Sequence, residues 1–292
     1  FLEYVAQDLL KKYGTDMSDV AVVFPNKRAS LFLNQALARM AGRPLWSPAY
    51  VTISDFFRQH SGLTVADPIK SICDLYKTYV EVTGNVGETL DQFYGWGQLL
   101  LADFDDIDKN LADARLIFSN ISNLRELDDI SYLNDEQKAE LHRFFTNFDD
   151  RSEGIRERFI TLWERLNDIY NRFREKLRSQ ELAYEGMLYR DVAEQADIQT
   201  RYQHYAFVGF NVLQKVEQRV FKRFKEEEKA DFYWDYDRYY MGRTNEAGNY
   251  IRQWLDRFPN SLPNDNDELY DNLGKEKEIS FVSAPTENLQ AR

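Results

Sequence analysis

A lone cysteine, Cys73, leaves the 292-residue chain without the means to build a disulfide framework, which fits a reducing compartment and makes the cytoplasm the expected location. Histidine is almost as scarce. His60, His142 and His204 lie far apart and none stands in a zinc-type spacing, so no metal centre and no cofactor are expected. No apolar run approaches the roughly 20 residues that a spanning helix needs, and the first residues lack the basic and apolar parts of a signal peptide, so no membrane contact is expected. Positive charge is in deficit too: 37 Lys and Arg stand against 49 Asp and Glu, for a net charge of −12. The average field therefore repels nucleic acid, and any DNA contact must come from a local basic strip. A Gly-x-Ser-x-Gly elbow is absent, and Cys73 sits in a helical pattern with Ile69, Ile72, Leu75 and Tyr76, the setting of a core thiol.

What is present is apolar surface, 43% of residues being hydrophobic and 15% aromatic, enough for a large core. Leu2, Val5, Ala6, Leu9 and Tyr13 at helical spacing predict a first helix that stops at Gly14. Val20 to Phe24 is an unbroken apolar run rich in β-branched residues, as in a strand buried on both faces. A helix follows with Ala29, Leu33, Ala36, Leu37 and Met40 as its inner stripe and Gly42 at its end. Ala49 to Ile53 predicts a second strand, with Ser54 or Asp55 capping a short helix that carries Phe56 and Phe57. Beyond Asp67 the texture turns to charged amphipathic helices, clearest in the stripe Phe159, Leu162, Leu166, Ile169, Phe173 and Leu177. Strand patterns return at Ala206–Val208, Asp231–Trp234 and Ile279–Val282, with a helix around Tyr250–Leu255 and a linker-like stretch from Pro259 to Asp267. Strands alternating with helices imply an α/β fold with a mostly parallel sheet, in which 1–66 and 201–271 form a discontinuous domain, 67–200 an all-α insertion, and 272–292 a linker and the first strand of a following domain.

Parallel sheets of this kind bind ligands at the carboxyl ends of their strands. Those ends read Pro25-Asn26-Lys27-Arg28, Thr52-Ile53-Ser54-Asp55, Gly209-Phe210-Asn211 and Asp235-Tyr236-Asp237. The run VVFPNKRASLFLNQAL resembles the strand and helix after the phosphate loop of superfamily 1 helicases, above all the AddB-type subunits (UvrD/RecB-related) of helicase-nucleases that process broken DNA ends. VTISDFF resembles the next helicase motif. YAFVGFNVLQKVEQRVFKRF resembles the segment where a working helicase carries its Asp-Glu magnesium pair, and ISFVSAPTENLQAR the first strand of the second helicase domain.

The resemblance implies a RecA-like (P-loop NTPase-like, domain 1A) sheet with a domain 1B-like helical insertion. It also implies a non-catalytic role in bacterial double-strand-break repair, scaffolding a helicase partner subunit and guiding single-stranded DNA. Lys27, Arg28, Thr52 and Ser54 match the family's contacts to DNA phosphates. Gly209, Phe210 and Asn211 occupy the magnesium-motif position without a carboxylate, and no G-x-x-x-x-G-K-[ST] loop is present, so no ATP hydrolysis and no catalytic residue are expected of this chain. Two alternatives stand beside this reading: a protein-interaction scaffold without DNA contact, favoured by the acid excess, and a helicase whose phosphate loop lies upstream of Phe1, since a start at Phe rather than Met implies missing residues. The resemblance also implies a PD-(D/E)xK nuclease domain beyond Arg292; Glu227-Glu228-Lys229 fits the E-x-K pattern only by chance. Asp103, Asp105, Asp106 and Asp108 read as a solvated helix end or a partner-facing patch rather than a cation site. Trp234, Tyr236, Tyr239 and Tyr240 read as core and rim, with base stacking as the other possibility.

Overall fold

The computed structural model describes residues 1–87, 89–119 and 152–287. Chain order within its main sheet explains everything positioned at the candidate site. Strands β1 (Val20–Phe24), β2 (Ala49–Thr52), β5 (His204–Val208) and β6 (Ala230–Tyr233) form a four-stranded, all-parallel sheet in the order β2-β1-β5-β6. The chain leaves β1 to one side for β2, then crosses back to lay β5 along the other side, so the crevice between the ends of β1 and β5 is the switch point of the topology.

All five residues of β1 are buried, because both faces of the sheet are covered. Val20, Val22 and Phe24 point to one face with Ala206, Val208 and Tyr233, under helices α1 (Leu2–Tyr13) and α2 (Arg28–Ala41) and the segment from Leu262 to Tyr270. Ala21, Val23, Tyr205, Phe207 and Phe232 point to the other, under α3 (Ile53–Gln59) and α9 (Lys215–Glu226). Phe207 stacks on Phe232 (5.6 Å between centroids) and meets Phe221 of α9 at 4.1 Å. Side chains of this size contribute about 1.5–3 kcal/mol each on burial. α2 ends as expected at Gly42, whose φ of 61° puts it in the left-handed region that favours glycine.

Between α3 and β5 the chain forms α4 (Pro68–Thr83), α5 (Leu90–Lys109), α6 (Ala114–Ser119), α7 (Ser152–Arg178) and α8 (Glu185–Glu194). Asp67 starts α4 by accepting the amides of Ile69 and Lys70 at 2.9 and 3.0 Å, ahead of a proline whose missing N–H costs nothing there. Thr89 and Gln92 cap α5 reciprocally. The region is not wholly helical: β3 (Thr64–Val65) pairs in parallel with β4 (Leu182–Ala183), a ladder too short for any periodicity to announce. Leu166, Ile169, Phe173 and Leu177 are buried along α7 as predicted, while the side chains of Phe159 and Leu162 lie outside the described residues, as does His142.

Several local expectations are corrected. Met40 is 39% exposed, since the inner stripe of α2 ends at Leu37. Thr52, not Ser54 or Asp55, caps α3, because β2 stops at Thr52 and its side chain is the one within reach of the Asp55 amide. The Pro259–Asp267 stretch leads into a short helix, α11 (Asp267–Tyr270), following α10 (Asn249–Arg257). Ile279, Phe281 and Val282 are 70%, 94% and 89% exposed and pair with no strand among the described residues; β propensity without a ladder partner does not make a strand. Glu227-Glu228-Lys229 falls beyond the end of α9, in the turn into β6, where Lys229 pairs with Glu227 at 2.7 Å.

Candidate functional site

The four strand ends named from the sequence lie along one edge of one sheet, as parallel pairing requires. At the end of β1, Asn26 accepts the Arg28 amide (3.1 Å) and Lys27 leads into α2. Among the described residues Lys27 pairs only with Asp55, 4.0 Å away, and its side chain is 83% exposed. Arg28 is exposed as well. This places two cations at the positive end of a 14-residue helix, where unpaired amides and the helix dipole already favour an anion.

At the end of β2 the hydroxyls are engaged. Thr52 Oγ1 accepts the Asp55 amide (3.1 Å) and donates to the Asp55 carboxylate (2.7 Å). Ser54 donates to Glu185 at 3.0 Å, and Glu185 in turn takes the Lys109 ammonium at 3.0 Å and the Tyr189 hydroxyl at 3.0 Å. Burial would raise the Glu185 pKa, but Lys109, Ser54 and Tyr189 together hold it below the ordinary value. Lys27 and Arg28 are thus available to an outside ligand. Thr52 and Ser54 are committed to carboxylates, and Ser54 couples α3 to α8.

At the end of β5, Gly209 has φ 74° and donates its amide to the Tyr233 carbonyl (2.9 Å), turning the chain sharply. The next side chain, Phe210, is only 4% exposed and packs edge-on against Phe221 (5.2 Å, 90°), while the Asn211 carbonyl accepts the Trp254 indole N–H at 2.6 Å. A carboxylate at position 210 would therefore point into an aromatic core. At the end of β6, burial pushes the Asp235 carboxyl up, and Asp235 borders a cleft of about 540 Å³ with Tyr4, Ala29, Phe32, Arg39 and Gly209. Of the aromatic run, Trp234 is buried and donates to the Phe258 carbonyl (2.8 Å), Tyr236 stacks on Tyr270 at 4.4 Å, and Tyr239 and Tyr240 remain at the surface.

The acidic run of α5 is dispersed by the helix instead of forming one solvated patch. Asp105 faces inward to Lys109 (2.8 Å) and the Gly186 amide (2.5 Å), and Asp108 is fully buried. Among the described residues no group of His, Cys, Asp and Glu side chains is arranged to hold a metal ion, and no helix is long and apolar enough to cross a membrane. Asp55 was within reach of sequence reasoning, since Thr52-x-x-Asp55 is a capping pattern. Glu185, 131 residues from Ser54, left no local signal. No protein-family model and no curated protein matches this chain, so the reading of the site rests on its own geometry.

Proposed function

We propose that this chain is a RecA-like, nucleotide-independent module of a helicase-nuclease that processes DNA ends in the bacterial cytoplasm. In this reading it scaffolds a helicase partner subunit and guides single-stranded DNA across the carboxyl edge of its sheet. One observation carries it: the switch point joins an exposed cationic helix start, Lys27 and Arg28, to a strand end where Phe210 fills the space a magnesium-binding carboxylate would need. Phosphates are favoured there, and metal-bound nucleotide is not. The duty of Thr52 and Ser54 is internal, so the DNA contact reduces to the start of α2. The full-length nuclease activity that the resemblance implies belongs to the same proposal.

The test is fluorescence anisotropy with a single-stranded oligonucleotide. Binding is weak and falls steeply with salt, and the Lys27→Ala, Arg28→Ala pair lowers the slope of log affinity against log salt by about 1–2, the release of one counterion per lost phosphate contact. Equal affinity at low and moderate salt, or an unchanged double variant, overturns the DNA role. ATPase activity of the full-length protein that vanishes when this module is removed overturns the nucleotide-independent one.

A second reading, a scaffold that contacts only protein, is favoured by Leu31 and Phe32 on the outer face of α2, 71% and 58% exposed beside the same helix start. Leu31→Glu, Phe32→Glu that leaves DNA binding intact but abolishes co-purification of the helicase subunit assigns this face to the partner.

A further inference from the structure

Away from the sheet edge, the helical region holds a second cavity, of about 400 Å³, between the α5–α6 turn, α7 and α8. Asn167, Tyr170, Asn171 and Arg174 line it from one face of α7, Arg115 from α6 and Arg190 from α8. Behind three of these side chains, Tyr170, Arg174 and Arg190, lies Asp108, which has no exposed surface. Asp108 accepts the hydroxyls of Tyr170 (2.5 Å) and Tyr184 and the Arg190 guanidinium (3.3 Å). Arg190 also donates to the Ala112 carbonyl (2.9 Å) and to Glu194 (3.1 Å). Desolvation, then the nearby carboxylate, pushes the Tyr170 and Tyr184 hydroxyls upward, so both remain donors to Asp108 across the physiological range.

Arg174 pairs with the same carboxylate but makes no hydrogen bond to it. Its Nε is buried without a hydrogen-bond partner and stands 3.6 Å from Asp108 Oδ2, beyond hydrogen-bond reach, with the guanidinium held over the Tyr170 ring at 5.0 Å. A buried guanidinium N–H with no acceptor is costly, and the tyrosine ring fixes its plane before any ligand arrives. The Asn171 and Asn167 amides lie one and two turns along the same face, and Arg115 is exposed at the rim. The guanidiniums of Arg115, Arg174 and Arg190 outnumber the one lining carboxylate, Asp113, and with the two amides make a polar hollow that suits a tetrahedral oxyanion better than a cation or an apolar molecule.

We propose that this cavity is an oxyanion site that takes a phosphate group, with Arg174 as its fixed donor and Arg115 as its outer clamp. Phosphate could reach it from a free phosphorylated small molecule or from the terminus of a nucleic-acid strand, and the chemistry at Arg174 is the same. The inference does not depend on the role of the sheet edge, because none of its residues lies there.

The experiment is titration with inorganic phosphate at constant ionic strength, read by thermal unfolding and by the Arg Nε–H resonances. Phosphate raises the unfolding temperature and moves one buried guanidinium resonance, while chloride does neither. Arg174→Gln weakens phosphate by about tenfold or more, the loss of a charge-assisted hydrogen bond. Arg115→Gln, at an exposed position, weakens it severalfold and keeps the test decisive if Arg174→Gln fails to fold. A 5′-phosphorylated oligonucleotide that outcompetes its unphosphorylated twin assigns the site to strand ends; equal competition assigns it to free phosphates. Equal responses to phosphate and chloride, or a phosphate response that Arg115→Gln leaves unchanged, overturn the proposal.

Discussion

Glu217 is a buried carboxyl whose pKa burial pushes up to about 7, against the weaker pull of the Gln214 amide and the Lys109 charge. A carboxyl bound more tightly to its proton in the folded state stabilises the protein fully below the unfolded value of roughly 4.3, and that contribution is lost as pH rises through about 7. Glu217→Gln keeps an acceptor for the Gln214 amide, 2.7 Å away, and removes the titration. Urea unfolding will find the variant more stable than the parent by about 1–3 kcal/mol at pH 8 and unchanged near pH 4, a flattening that identical pH profiles would contradict. Asp108 is the opposite kind of residue, buried among partners that all need it. Asp108→Asn leaves Arg174 and Arg190 without their shared carboxylate and will cost about 3–5 kcal/mol in the same measurement.

Among elements, the contact of α5 with α8 is set by Gly186. Its amide reaches the Asp105 side chain, and a Cβ there would overlap the Asp105 carbonyl oxygen, a backbone atom that cannot swing aside. Gly186→Ala will force the helices apart at a cost of about 1–3 kcal/mol and lower the melting temperature, whereas Gly62→Ala, with open space around it, will not. This pair also marks how far the sequence could be read. β1, α1 and α2 were legible because an unbroken apolar run and a helical stripe are local signals of two-sided and one-sided burial. The residues that join distant elements were not: Ser54 with Glu185, Asp105 with Gly186 and the β3–β4 ladder depend on partners more than 80 positions away, which no periodicity records. The acidic run of α5 misled for the same reason, since the tyrosines and arginines that bury Asp108 come from α7, from α8 and, for Tyr184, from the N-cap of α8.

At the scale of the molecule, the net charge of −12 sets the background against which the start of α2 must act. Long-range repulsion slows the approach of DNA at low salt and fades over a Debye length of about 8 Å at physiological ionic strength, so the local cations matter most under cellular conditions. The pairing of β1 with β5 has a further consequence. Val20 finds His204 only after the intervening helices have been synthesised, which makes the centre of the sheet the longest loop closed by strand pairing among the described residues. Until then β1, apolar on both sides, has one uncovered margin and β2 alone as a neighbour, the state in which strands associate wrongly. Ribosome-bound chains halted before His204 should therefore be cut readily by protease within Val20–Phe24 and recruit holding chaperones, while chains released past Tyr233 should resist; equal resistance at both lengths would mean that the half-sheet folds early.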